Sequence, residues 1–171
     1  ERQGHDVAAD PVAGAFAEGR FRPSSRLVVT TGLRVEHIVR SALEADPLAY
    51  TPRPPLAEDR VFSVNPRIAA SYFVRTSGDS GGNWTRVHST AGTGIRPPDV
   101  LEIAFTDNPG LRPERNRSVD GGLEQSLLGG LLIVDATAFV NRYEDLIIAV
   151  GGPIKDYSRF TTDNISNARA T

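Results

Sequence analysis

Arg26-Leu27-Val28-Val29-Thr30-Thr31-Gly32-Leu33-Arg34-Val35-Glu36-His37-Ile38-Val39 alternates with a period of two. Leu27, Val29, Leu33, Val35 and Val39 fall on one parity, and Thr30, Gly32, Arg34 and Glu36 fall on the other. Successive side chains of a strand point to opposite faces, whereas a helix would scatter these residues around its circumference. The stretch therefore predicts a strand with one apolar and one polar face. The pattern returns downstream, with Ile68, Ala70, Tyr72 and Val74 set against Arg67, Ser71, Phe73 and Arg75. It returns again where Val134, Ala136, Ala138 and Val140 oppose Asp135, Thr137 and Asn141, with Phe139 and Tyr143 as large residues on the polar side. Weaker alternation over 12–21, 84–93, 117–126 and 158–169 brings the expected strands to seven. Gly (16) and Pro (12) recur often enough to interrupt helices between these stretches, so the chain reads as all-β.

The links carry a second signal. Arg22-Pro23-Ser24-Ser25, Ser77 to Asn83 and Leu128-Gly129-Gly130 read as short turns, while the links around Pro47 to Asp59, Gly94 to Asn116 and Gly151 to Tyr157 are longer. Short and long alternate along the chain. In an outer-membrane barrel the periplasmic connections are tight and the extracellular ones free to grow, whereas a soluble sandwich has no reason to sort loop lengths by end. The loops around 41–61, 94–116 and 150–158 are accordingly expected at one end of the sheet and the turns at the other.

Composition excludes several classes. With 171 residues, 39% hydrophobic, 23% charged and a net charge of -2, the chain shows no basic footprint for nucleic acid. It has no cysteine, which excludes disulfides and thiolate metal sites. The longest uncharged apolar runs, Leu127 to Val134 and Leu146 to Ile154, fall short of the ~20 residues a spanning helix needs. If this chain crosses a membrane it does so as strands, with Arg34, Glu36, Asp120, Glu124 and Asp135 turned toward a wet lumen, because a charge facing mid-bilayer costs ~2–4 kcal/mol.

Several motifs follow one another in an order that resembles the C-terminal half of TonB-dependent outer-membrane receptors. They begin with Gly32-Leu33-Arg34-Val35-Glu36, then Asn65-Pro66-Arg67 expected at the start of a strand. Gly92-Thr93-Gly94-Ile95-Arg96-Pro97-Pro98 leaves the fourth strand, and Asn108-Pro109-Gly110-Leu111-Arg112-Pro113-Glu114, the most specific piece, leads into the fifth. Tyr143-Glu144-Asp145-Leu146-Ile147 is expected to end the sixth, with Asn164 and Ala168 on the seventh. The resemblance covers roughly residues 12 to 171. Gly32, Arg34, Asn65, Pro66, Arg67, Asn108, Pro109, Leu111, Pro113, Glu114 and Asn164 are its structural positions. Independently of any family, Pro97-Pro98, Pro109 and Pro113 remove backbone donors where strand pairing must stop.

The resemblance implies an antiparallel up-and-down transmembrane barrel, of which residues 1–171 supply about seven strands of the 22 in plugged outer-membrane transporters. It also implies a plug domain and further strands beyond this chain, contact with outer-membrane lipid, energy from TonB through that plug, and import of a scarce nutrient such as siderophore-iron, cobalamin or an oligosaccharide. No cofactor, metal or catalytic residue is implied, and the expected location is the outer membrane of a Gram-negative-type bacterium. Tyr50, Arg53, Arg60, Arg96, Arg112, Arg115, Tyr157 and Arg159 lie in or beside the long links, where arginine and tyrosine grip anionic or ring-bearing ligands. For each, a solvated loop side chain is the plainer reading.

Other signals are weaker. Gly92-Thr93-Gly94 lacks the third glycine and the βαβ setting of a dinucleotide loop. His5, His37 and His88 are too dispersed for a short-range metal motif. Asn83-Trp84-Thr85, Asn116-Arg117-Ser118 and Asn164-Ile165-Ser166 match a glycosylation pattern that matters only in a eukaryotic secretory protein. Two rival functions remain. A soluble β-sandwich binding module would bury the apolar face and lack aromatic girdles, and an outer-membrane barrel enzyme would need a Ser-His or Asp-His constellation on one rim.

Overall fold

The structure is a computed structural model that describes residues 12–42, 44–45, 55–75, 82–99, 102, 108, 110–151 and 160–171. It contains seven strands: β1 (Val12–Phe21), β2 (Leu27–Arg40), β3 (Asp59–Arg75), β4 (Thr85–Arg96), β5 (Glu114–Leu127), β6 (Leu132–Gly151) and β7 (Phe160–Ala170). They form one antiparallel sheet in sequence order, β1 to β7, and the sheet is not closed. Each expected strand is present.

The registers fix the faces. Val29 pairs with Ala70, Leu33 with Pro66 and Val35 with Val64, while Leu123 pairs with Ala136, Val119 with Val140 and Leu127 with Leu132. Val87 pairs with Tyr72 on one side and Leu123 on the other, which joins these residues into one continuous apolar face. The opposite face carries Arg34 beside Asn65, Glu36 beside Ser63, Ser71 beside His88, Thr90 beside Asp120, and Asp135 beside Glu124. A hollow of about 640 Å³ lies across β1 to β4, lined among others by Arg20, Val28, Thr30, Ser71, Arg86 and His88, all on the polar face. In an outer-membrane barrel a polar face opposite an apolar one is the side turned inward, toward the concave lumen.

No second layer covers the apolar face. Among the described residues only Leu56, Leu111 and Ile147 are buried hydrophobics, while Leu33, Val64, Ile68, Val119, Leu123 and Val134 stand between 45% and 56% exposed. Phe21 and Tyr72 border this face near the turn end and Phe62 toward the loop end. A β-sandwich would have buried these side chains against a facing sheet. The wall is one sheet thick.

Pairing in sequence order puts the links 41–58, 97–113 and 152–159 at one end and 22–26, 76–84 and 128–131 at the other. The expected segregation holds for the ends of the strands. The length contrast is clear for the first two pairs and vanishes for 76–84 against 152–159. The turn end is tied by local polar contacts: Ser24 Oγ accepts the amides of Arg26 (3.3 Å) and Leu27 (3.1 Å), and Asn83 Oδ1 accepts that of Gly129 (2.9 Å). Ser126, fully buried, donates to the Gly82 carbonyl at 2.8 Å. Gly82 has φ +65°, and a Cβ there would sit 2.5 Å from the Gly129 carbonyl oxygen, so both its conformation and its neighbour require glycine.

Two strands are longer than the sequence pattern predicts. Asn65-Pro66-Arg67 does not open β3; it lies six residues and more inside a strand that starts at Asp59. Val61 and Phe62 are apolar on both faces there, which hides the alternation. Pro66 is tolerated because the β3–β4 ladder stops at Arg67↔Gly92, leaving its missing donor on a side where no strand pairs. The loops expected at 41–61 and 94–116 shrink to 41–58 and 97–113. Likewise Tyr143 to Ile147 does not end β6, which continues to Gly151 paired with β7 alone, past Asp145 at φ 56°. Pro97 and Pro113 behave as expected: β4 ends one residue before the first and β5 begins one residue after the second.

Candidate functional site

The loop end is held together by the segment Asn108 to Glu114. Asn108 donates to the Thr162 carbonyl (3.3 Å) and to Asp163 Oδ1 (3.2 Å), while its own oxygen accepts the Gly110 amide at 3.0 Å. Leu111 is buried. Asn164 on β7 accepts the Arg112 amide (2.8 Å) and donates to the carbonyls of Arg112 (2.9 Å) and Asp145 (2.7 Å). One side-chain amide thus serves three main-chain groups that no strand is positioned to pair.

Glu114 opens β5 on the loop side of the apolar band. Its carboxylate accepts Arg96 Nε (2.7 Å) and Nη2 (2.8 Å), a forked contact, and the Ile147 amide at 2.7 Å. The β5–β6 ladder stops at Arg115↔Glu144, so this carboxylate satisfies a donor just beyond the ladder. The Arg96 guanidinium, helped by the Ile147 amide against the opposing effect of burial, holds the Glu114 carboxyl below the usual carboxylate range. Arg96 also contacts Glu102 (3.0 and 3.1 Å), which exchanges hydrogen bonds with Asp99.

Beside this cap lies an open hollow of about 700 Å³, lined by Arg40, Glu58, Asp59, Arg60, Phe62, Leu111, Arg112 and Arg115 among others. Arg60 pairs with Glu58 (2.6 Å), Arg40 with Asp59 (3.6 Å) and Arg112 with Asp145 (2.6 Å). Arg115 has no ionic partner among the described residues. A second hollow of about 520 Å³ opens where β3 and β4 diverge above Pro66 and is lined in part by Asn65, Thr93, Arg115 and Arg117.

Of the eight ligand candidates, Arg60, Arg112 and Arg115 line one hollow, and Arg96 stands apart in its fork with Glu114 and Glu102. Tyr50, Arg53, Tyr157 and Arg159 lie outside the described residues, as does Pro109 of the motif. Sequence reasoning did not single out Arg40, which joins the hollow from the end of β2.

The concave face carries its own polar network. Arg86 pairs with Glu124 and lies 5.9 Å from the Trp84 ring, which meets Phe73 edge-on at 6.0 Å. His88 reaches across β5 to Asp135 (Nε2 to Oδ2, 3.1 Å), which also accepts from Thr137 at 2.8 Å. This crossing depends on Gly122 between them, where a Cβ would come within 2.7 Å of His88 Cε1 and 2.5 Å of Thr137 Oγ1. Ser71 faces His88 in register, but its buried hydroxyl makes no hydrogen bond. The serine-to-histidine contact on which an activated nucleophile depends is therefore not assembled. Among the described residues no group of three His, Asp or Glu is placed to hold a metal ion.

Comparison with known proteins adds two findings. The family model described as TonB dependent receptor-like, beta-barrel matches residues 5–171. A solved structure, the copper transporter OprC, superposes with a TM-score of 0.67 at 21% identity, covering 92% of this chain and 25% of that one. At that identity the likeness bears on the fold alone, and this chain spans about a quarter of that protein's length. Comparison with curated proteins gives no match.

Proposed function

The chain belongs to the TonB-dependent receptor-like β-barrel family, and from that membership we propose that it is a wall segment of an outer-membrane receptor that binds a scarce nutrient at the cell surface and imports it with energy from TonB. The observation that carries this reading is the uncovered apolar face opposite a charged concave face on seven sequential strands, an arrangement that suits a lipid-covered wall around a wet lumen. In this proposal the remaining strands of a 22-stranded barrel and a plug domain lie elsewhere in the same protein, and TonB acts on the plug rather than on these strands.

The nutrient would meet Arg60, Arg112 and Arg115 at the loop-end hollow; Tyr50, Arg53, Tyr157 and Arg159 are candidates from the sequence alone. Arginine forks recognise carboxylates and phosphates in two-point fashion, so an anionic chelate or acidic sugar fits best. Arg96 acts as a support, because two carboxylates already engage it. The segment takes no chemical step of its own. Copper belongs to the name of the similar transporter; this chain has neither Cys nor Met, the soft side chains that favour copper(I), so these residues supply no such site. The test is uptake by cells whose receptor carries Arg112→Ala and Arg115→Ala, measured for iron chelates, cobalamin and oligosaccharides. Import of one of these that depends on TonB and falls with the paired substitution supports the reading; normal import of all three classes in cells lacking the receptor removes it.

A further inference from the structure

On the apolar face, the row next to Val119↔Val140 toward the loop end is Arg117↔Arg142↔Arg169, three arginines directly opposite one another on β5, β6 and β7. Arg115 stands one row further up, opposite Glu144. All four arginines are exposed. Among the described residues Glu144 is the one carboxylate paired with them, reaching Arg117 at 3.3 Å, and Arg115, Arg142 and Arg169 have no ionic partner. Neighbouring strands lie about 4.8 Å apart, and like charges directly opposite on one face repel. An internal role does not account for such a row, since among the described residues a single carboxylate, Glu144, stands against four guanidinium groups. Its position does: it borders the apolar band on the side of the long loops.

We infer that Arg142, Arg169 and Arg117 form a docking site for the phosphate-bearing headgroup of an outer-leaflet lipid, whose acyl chains then cover Val119, Val140 and the apolar face below. Guanidinium forks match phosphate oxygens in two-point contacts, which suits a phosphate shared between neighbouring strands. Charge and apolar surface here are contiguous, and an amphipathic anion satisfies both where a free anion satisfies only the first. The site lies on the lipid side of the wall; of the residues lining the loop-end hollow, Arg112 belongs to the loop cap, while Arg60 and Arg115 share the parity of the apolar face above this row. This inference rests on the outer-membrane barrel reading.

The experiment is native mass spectrometry of the purified barrel protein that carries this segment, in neutral detergent, with dioleoyl phosphatidic acid, dioleoyl phosphatidylcholine or inorganic phosphate added in turn. Phosphatidic acid is expected to remain bound, to bind in preference to phosphatidylcholine, and to be released by salt. Inorganic phosphate should not displace it at equal concentration. Arg142→Gln with Arg169→Gln should weaken phosphatidic acid binding roughly twenty-five-fold, at about fivefold for each surface cation removed, whereas Arg142→Lys with Arg169→Lys retains most of it. Arg34→Gln, on the concave face, should leave it unchanged. Equal retention of the two lipids by the unmodified protein overturns the inference without any variant. Displacement by inorganic phosphate at equal concentration overturns it as a lipid site. Either result leaves the barrel reading standing, which fails separately if the protein is a monodisperse monomer without detergent.

Discussion

Asn164 does with one amide what a paired strand does with its backbone: it accepts from the Arg112 amide and donates to two carbonyls where β5 has not yet begun. Asn164→Ala strands three main-chain groups, and at a partly exposed site the expected loss is about 1–2 kcal/mol. Thermal unfolding in detergent would read it, with amide exchange faster at residues 110–114; an unchanged melting temperature with unchanged exchange would show that water replaces the amide at no cost. Glu114 gives a pH signature. Its folded-state carboxyl titrates below the unfolded one, so its contribution is complete above the usual carboxylate range and is lost as pH falls through the folded value. Glu114→Gln should therefore flatten the acid limb of the stability profile, and an identical acid limb in both proteins would refute this. At Gly122, alanine brings a Cβ within 2.7 Å of the Ala136 carbonyl oxygen as well as His88. Backbone cannot yield as a side chain tip does, so Gly122→Ala should cost about 1–3 kcal/mol and separate His88 from Asp135, visible as a lower melting temperature in detergent and displaced His88 ring resonances by NMR. None of these three roles is visible in sequence alone, because each depends on a partner at least fourteen residues away whose side chain arrives only when the registers are set.

At the scale of the strand, parity decides what a charge costs. Ala138 lies in the middle of the apolar band of β6, and Thr90 lies beside Asp120 on the concave face. Ala138→Arg should destabilise the protein in a bilayer by ~2–4 kcal/mol, and Thr90→Arg, facing water and a carboxylate, by far less. Urea unfolding in lipid vesicles separates them; equal costs would mean that the faces are not lipid and lumen. This parity was legible because Arg26 to Val39 and Val134 to Val140 alternate cleanly, and a period of two leaves no freedom in which residues share a face. Strand ends were less legible. Val61-Phe62 and Leu146 to Val150 are apolar on both parities, so periodicity falls silent there although both segments are strand. Proline misled in one place and guided in two: Pro97 and Pro113 flank strand ends where donors would be unpaired, while Pro66 sits within β3 because the neighbouring ladder has already ended. The hollow lined by Arg40, Arg60, Arg112 and Arg115 was half visible. Arginines near long links drew attention, but which of them meet depends on how three strand ends are brought side by side.

At the scale of the whole chain, the missing quantity is a core. A domain of this length normally buries most of the apolar surface its unfolded chain exposes, yet here the described hydrophobic residues buried below a tenth of their surface are Leu56, Leu111 and Ile147 alone. Conformational entropy opposes folding for every ordered residue, so backbone hydrogen bonds without apolar burial cannot hold seven strands together in water. The apolar face must be covered from outside. The two outermost strands add to the requirement, since the far sides of β1 and β7 carry unpaired amides and carbonyls among the described residues, and such edges recruit other chains. Expressed by itself, the 171-residue chain is therefore expected to form no stable soluble monomer: in sedimentation without detergent it should run as a broad distribution of aggregates, and heating should give no cooperative transition. Adding detergent micelles above their critical concentration should shift the distribution toward small particles and restore strand signal in circular dichroism, because the micelle supplies the cover that lipid supplies in a bilayer. A monodisperse monomer with a sharp melting transition in plain buffer would mean that these same side chains find partners within the chain, and the exposed face of Leu33, Val64, Val119 and Val134 would then belong to a different, two-layered fold.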